Sequence, residues 1–390
     1  MSFEITFLGS SGGPLEGNTC SILIKPSHLS YQTIIDHKLS DEILCIDAGS
    51  GLGRLSEIIH QESLTKKPHS KMLTFYEDAK PMTYYYHHKI HITTPFKDFR
   101  PHRALFHAQK LFNIIKTFLI THPHLDHVAS LVINSAGFTN SPAKSILGAK
   151  QTTNALQRHL FNGIIWPNMP SFEVVNLVPI AFDKSITINN NAYTIYMFEI
   201  SHGEFNKFDD HRRRSIIVQP IMNGTLADQR QGHYVSSAYL IKHNMTSSSL
   251  LIFGDFESDK ISHLNHNIKI WKTIAPLIIE HKLKGIVMEC SNTSNVPDDE
   301  LYGHLTPQYI IYELNRLNDE CKKLDPATKQ PLRGLDIIVD HVKEPIIDFE
   351  SDENVKEPRG RILDELNRLN QKEGLGCRFS IALSGVSILL

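Results

Sequence analysis

Residues 122–127, His-Pro-His-Leu-Asp-His, gather three histidines and an aspartate into six positions. Imidazole and carboxylate ligands in this mixture suit zinc or another borderline divalent ion. Further candidates stand at or near the ends of apolar runs: His202 in YTIYMFEISHG, Asp255 in SLLIFGDFE, His304 in LYGHLTPQ and His341 in LDIIVDHVKE. With His122, His124, Asp126 and His127, these are too many for one tetrahedral centre. Two ions about 3.5–4 Å apart, sharing a carboxylate and a hydroxide, would use most of them. Asp255 is the natural bridge, because Gly254 lets the backbone crowd close to the metals. Two divalent ions bring four positive charges; Asp126, Asp255 and the hydroxide remove three, leaving about one. A phosphodiester would neutralise that centre, but a neutral lactam or carboxyl ester would also bind. His304 has two readings. Thr306 and Pro307 look like the N-cap and first position of a helix, so His304 either packs a helix start or donates a proton beside the metals.

These ligands need elements to hold them. With extended backbone, His122, His124 and Asp126 would share one side, and Pro123 keeps His122 out of helical geometry. Val128, Leu131, Val132 and Ser135 then fall at helical spacing, which predicts a helix from near His127. Upstream, KTFLIT (116–121) reads as a buried strand, so the ligands sit on a strand-to-helix loop. FEITFLGSSGG (3–13), CSILIK (20–25) and EILCIDAGSGLG (42–53) predict three strands joined by tight turns, an antiparallel start to a sheet, with helices over 51–60 and 104–113. Gly9–Gly13 lacks the spacing of either nucleotide-binding glycine loop. SSAYLIKH (236–243) and GIVMECSN (285–292) add two more short strands with polar ends. Strand after strand thus delivers His or Asp at its C-terminal end, which is how a sheet assembles a site along one edge. ELNRLN occurs at 313–318 and 365–370 and reads as two amphipathic helices rather than a repeat array.

Composition sets the outer limits. The chain has 390 residues, 41% of them hydrophobic, and a formal net charge of −2 at pH 7. That balance argues against a protein built to grip nucleic acid, and HRRRS (211–215) reads as a solvated loop. Five scattered cysteines without a CxxC pair predict no disulfide framework and a reducing compartment. Neither a signal peptide nor a run of about 18 apolar residues is visible, so a cytoplasmic protein without membrane attachment is expected. Length alone gives a prior of two or three domains, but α/β folds with insertions often run this long as one; a single domain over 1–390 is expected, with insertions about 61–103 and 204–235. The first, polar and histidine-rich, reads as an insertion or surface excursion, and its His87, His88 and His91 lack the strand–loop context of a metal site.

HPHLDH looks like the metal hook of the metallo-β-lactamase superfamily, and the run His122–Ala136 is similar to the signature of the class II, fungal-type cyclic-nucleotide phosphodiesterases. FEITFLGSSGGP, FNGIIWPN, GDFE, LKGIVMECS, LYGHLTP and IIVDHVKE resemble that family in the expected order, from Phe3 to the terminal RFSIALSGVSILL. The resemblance implies a four-layer αββα sandwich with the site at the edge between two sheets. It implies one ion on His122, His124 and His202, a second on Asp126, His127 and His341, and Asp255 between them. His304 matches the histidine thought to help the leaving group depart. The implied cofactors are two divalent ions, Zn²⁺ by ligand type, and a homodimer is common among relatives. The activity implied is hydrolysis of 3′,5′-cyclic AMP, with cyclic GMP as a second candidate, to the 5′-monophosphate by a metal-bridged hydroxide. Two rivals follow. A tRNA 3′-processing nuclease on the same scaffold is opposed by the near-neutral charge and the lack of a basic arm. A non-catalytic metal or cyclic-nucleotide-binding protein is opposed by the full set of ligand positions.

Overall fold

A computed structural model of the chain describes residues 2–64, 80–138, 141–204, 233–343 and 357–390. Fifteen strands among these residues form two sheets. The first sheet holds β1 (Phe3–Gly9), β2 (Ser21–Pro26), β3 (Leu44–Ile46), β4 (His91–Thr93), β5 (Thr117–Leu119), β6 (Lys144–Ala149), β7 (Val175–Ile180) and, from the far end of the chain, β15 (Ser387–Leu389). The second holds β8 (Lys184–Ile188), β9 (Tyr193–Glu204), β10 (His233–His243), β11 (Ser248–Phe253), β12 (Leu283–Glu289), β13 (Asp336–Asp340) and β14 (Arg378–Ile381). Their orders are β4-β15-β1-β2-β3-β5-β6-β7 and β14-β13-β12-β11-β10-β9-β8.

Each sheet is half antiparallel and half parallel. Strands β1, β2 and β3 pair antiparallel, as the sequence predicts, and β3, β5, β6 and β7 run parallel. In the second sheet β8 to β11 are antiparallel, and β11 to β14 parallel. Parallel neighbours need crossovers, and helices supply them: Leu125–Asn134 after β5, His266–Ile279 after β11, Pro307–Leu324 after β12 and Pro358–Glu373 after β13. Both ELNRLN copies lie on the last two of these helices.

Alternation along the strands separates the layers. Ile22 and Ile24 of β2 join the large core that also takes Phe3, Ile5, Ile195, Met197 and Leu251 from the two sheets. Leu23 between them turns to the opposite core, with Leu55, Ile58, Leu111 and Leu131 of the first sheet's helices. Trp271 packs against Phe253 from the second sheet's helices, and its indole N–H donates to the buried Glu313 at 2.7 Å. The result is a four-layer αββα sandwich.

Three local expectations need correction. The helix after the histidine loop starts at Leu125, with His124 as N-cap, so Asp126 and His127 lie in its first turn and not on extended backbone. An acidic side chain there is favoured by the helix N-terminus. A helix, Tyr31–Asp36, capped by the Ser30 hydroxyl, separates β2 from β3 where a tight turn is expected. Most plainly, 80–103 is no surface excursion: Met82, Tyr85, Tyr86, Phe96 and Phe99 are buried, and β4 completes the first sheet beside β15. A histidine-rich sequence hides these anchors because they follow no single period. Residues 61–64 end the helix Leu52–Leu64, 204 ends β9 and 233–235 begin β10, while 65–79 and 205–232, with HRRRS, lie outside the described residues.

Lys144 on β6 is buried, donates to the Asn113 carbonyl and lies 5.3 Å from the Phe138 ring centroid. Burial pushes its pKa down from 10.5 to about 8. Between those values the unfolded chain binds more protons than the folded one, so this residue's contribution to stability rises with pH and is flat below about 8. Urea unfolding midpoints should therefore show the native chain gaining on Lys144→Met between pH 8 and pH 10.5. A pH-independent gap would exclude a buried ammonium.

Candidate metal centre

The site lies where the C-terminal ends of strands from both sheets meet. From the first sheet, β3 ends at Ile46 and passes into Asp47, while β5 passes into the loop of His122 and His124 and then the helix of Asp126 and His127. From the second sheet, His202 lies near the end of β9, Asp255 two residues beyond β11, Glu289 at the end of β12 and His341 one residue beyond β13. Gly254 has a steric task. A Cβ there would lie 2.5 Å from the Thr121 side chain and 2.7 Å from the Ser236 hydroxyl. The glycine thus admits the histidine loop to Asp255, as well as the Asp255 backbone to the centre.

Asp255 is 2% exposed and faces four imidazoles. Its oxygens lie 3.1 Å from His341 Nε2, 3.3 Å from His127 Nε2, 3.6 Å from His202 Nε2 and 3.7 Å from His122 Nε2. Asp126 stands 3.2 Å from His341 Nε2 and 3.7 Å from His127 Nε2. His202 Nε2 and His124 Nδ1 face each other at 3.3 Å. Two groupings emerge, each with ligand atoms within 4.8 Å of one another: His122, His124 and His202, and Asp126, His127, Asp255 and His341. All seven sequence-predicted ligands are therefore brought together. His87, His88 and His91 belong to no such group among the described residues.

The opposite ring nitrogens show why these imidazoles point inward. His127 Nδ1–H donates to Asp47 at 2.7 Å, and His202 Nδ1–H to the Gly303 carbonyl at 3.0 Å. Thr121 gives its only hydroxyl proton to Asp47, so it accepts from His122 Nδ1 at 3.1 Å. Ser291 gives its proton to Glu289 and accepts from His341 Nδ1 at 2.9 Å. Four histidines thus spend Nδ1 on the scaffold and turn Nε2 towards Asp255. The Nε2 atoms of His122 and His127 are buried without a hydrogen-bond partner. Such orphans are costly, and a cation coordinated at Nε2, in place of any proton there, removes the cost. These residues fit a divalent metal centre.

Charge separates the two groupings. Burial holds His122 well below the ordinary imidazole pKa, lowers His124 and brings His202 to about 3, so this trio offers neutral lone pairs. In the second grouping burial pulls the other way from the charges, and the charges win. The carboxylates of Asp255, Asp47 and Asp126 hold His127 well above its usual range, and Asp255 and Asp126 bring His341 to about 10. Burial alone would raise Asp255, but His341 and His127 hold it well below the usual carboxylate range. Imidazoles that hold their protons so firmly beside ionised, buried carboxylates mark a place that demands positive charge.

His304, 6% exposed, donates Nδ1–H to Glu289 at 2.9 Å, and Glu289 also accepts from the Phe256 N–H and from Ser291. His304 borders an open cleft of about 260 Å³ with His124, Asp126, His202, Asp255 and His341. Sequence reading omits Asp47 and Glu289, although each stands at a strand end in runs already quoted. It also omits Cys20, a buried thiol within 4.8 Å of the His127 and His341 ligand atoms.

Known proteins match this chain along its whole length. The family described as cAMP phosphodiesterases class-II matches residues 33–385. A 3′,5′-cyclic-nucleotide phosphodiesterase of Candida albicans is 50% identical, with 100% of both chains covered. The 3′,5′-cyclic-nucleotide phosphodiesterase 1 of Saccharomyces cerevisiae is 28% identical over 100% of this chain and 99% of its own. A crystal structure of unliganded yeast PDE1 superposes with a TM-score of 0.78 at 28% identity, covering 100% of this chain and 99% of that one.

Asp47 makes no contact with the cleft, yet it holds both Thr121 and His127. Asp47→Asn should weaken divalent-metal binding about 10- to 100-fold in a chelator competition, with the far-ultraviolet circular dichroism unchanged. Unaltered affinity would show that His127 needs no orienting carboxylate.

Proposed function

The chain belongs to the class-II cAMP phosphodiesterases and hydrolyses 3′,5′-cyclic nucleotides, and we propose that it does so at a centre of two divalent cations, Zn²⁺ by ligand type. His122, His124 and His202 hold one, Asp126, His127 and His341 hold the other, and Asp255 is shared. The observation that carries this assignment is the convergence of seven ligand atoms, with the buried Nε2 of His122 making no hydrogen bond. Cations bound there would lower the pKa of a water molecule and polarise the phosphoryl oxygens.

The remaining steps fall to the protein. Asp255 fixes the spacing of the centre from a rigid strand end. His304 is the general acid: with Nδ1–H committed to Glu289, its Nε2 is left for the cleft. Water attacks phosphorus, the bond to the 3′-oxygen breaks, and His304 passes its proton to that oxygen. The products are 5′-AMP from cyclic AMP and 5′-GMP from cyclic GMP. Glu289 orients His304; burial would raise the Glu289 pKa, but the charge and hydrogen bond of His304, together with His341, hold it down.

The chain works as one hydrolase unit on a small diffusible substrate, without nucleic acid. Five buried free cysteines suit a reducing cytoplasm, and no helix among the described residues is long and apolar enough to cross a membrane. The rival readings, a tRNA 3′-end nuclease and a non-catalytic binder, are not favoured by relatives matched end to end.

Cyclic AMP turnover should be lost on chelation and return with zinc, and chromatography should show 5′-AMP as the product. His304→Ala should lower kcat about 10²- to 10⁴-fold with metal content intact, whereas Asp255→Ala should lose metal and activity together. Metal loss in His304→Ala would place that residue among the ligands instead. A 3′-AMP product would show that the 5′-oxygen leaves.

A further inference from the structure

The cleft beside the centre carries two tyrosines that the chemistry above does not use, Tyr234 and Tyr302. Tyr234 lies with its ring 5.7 Å from that of His124, against the metal-facing wall. Tyr302 differs in two respects. It is 49% exposed, and its backbone is left-handed at φ +52°, a conformation rare for a bulky side chain.

Its neighbours explain how that conformation is kept. Gly303 follows at φ +81°, and a Cβ there would lie 2.4 Å from the His202 carbonyl oxygen. Gly203, on the facing strand end, would bring a Cβ to 3.0 Å from the Gly303 Cα. Two glycines thus press the 302–304 segment against β9, and His202 Nδ1–H bonds the Gly303 carbonyl across the contact. A strained aromatic held on a clamped loop, and not buried in a core, is a mark of function.

We propose that Tyr302 is the platform on which the purine base of the cyclic nucleotide stacks. This rests on the assignment of His304 to the 3′-oxygen. The Cα atoms of residues 302 and 304 are at most about 7 Å apart, a span comparable with that from base to cyclic phosphate in one nucleotide. A base on the Tyr302 ring therefore turns the ribose so that its 3′ side meets His304. Stacking reads no hydrogen-bond edge, because every base has a π-face, so adenine and guanine are both accepted.

The test is steady-state kinetics of the zinc-loaded enzyme with cyclic AMP, cyclic GMP and the methyl riboside 3′,5′-cyclic phosphate, which lacks a base. Tyr302→Ala keeps a Cβ, and with it the backbone strain, but removes the ring. It should raise KM for both nucleotides by roughly 5- to 100-fold, with Tyr302→Phe close to the native enzyme. The loss should be confined to substrates that carry a base, so the native and Ala proteins should share one KM for the riboside. An unchanged nucleotide KM, or an equal loss on all three substrates, would overturn the proposal; the second result would make Tyr302 a scaffold for His304. The role of His304 is judged separately, by kcat and product in its own variant, so either reading can fail alone.

Discussion

A carboxylate buried from water must find positive charge or be neutralised, and Asp255 imposes that demand on everything around it. It is 2% exposed, and four imidazole nitrogens stand within 3.7 Å of its oxygens. An ion of this kind without compensation is far too costly for a folded domain of ordinary stability. The surrounding histidines answer in two ways. Some carry the charge themselves, and some are held neutral with a lone pair free for a cation. Which does which follows from the count of nearby carboxylates: His127 and His341 have several, and the trio of His122, His124 and His202 has chiefly Asp255.

Meeting that demand at one point requires backbone that ordinary strands do not offer. Asp47 at φ +52°, Tyr302 at φ +52° and His341 at φ +54° all adopt left-handed conformations that L-residues seldom hold. Two of the three sit directly after a strand, where the chain has to turn a side chain across the sheet edge. The strain is held by hydrogen bonds on both sides, Asp47 to Thr121 and His127, and His341 to Ser291. Glu289 links the two functions: one oxygen receives His304, the other receives Ser291 and through it orients His341.

The seven residues that converge on the site were legible in the sequence because each one follows an apolar run, and four lie within six residues. The sheet order was legible only in its antiparallel beginning; β15 beside β1 joins residues nearly the whole chain apart, and no local pattern announces such a pairing. Asp47 and Glu289 had the same strand-end signal as Asp255, but a lone acid has no spacing to set it apart from a solvated one. Their roles depend on partners 74 and 15 residues away. The buried aromatics of 80–103 escaped for another reason. They anchor an irregular segment, so burial there follows the shape of the core and not a helical or strand period. The start of the histidine-loop helix moved by two residues because His124 is the N-cap without making a side-chain capping bond, which removes the usual signal.

The proposed ligand set is divided between the two sheets: His122, His124, Asp126 and His127 hang from the first, and His202, Asp255 and His341 from the second. A cation bound across that seam fastens one layer to the other, and the unfolded chain has no comparable site. Occupancy then adds directly to the free energy of folding. The population of opened chains, on which proteases act, would rise as metal becomes scarce. The lifetime of the folded chain would thereby follow the occupancy of the seam.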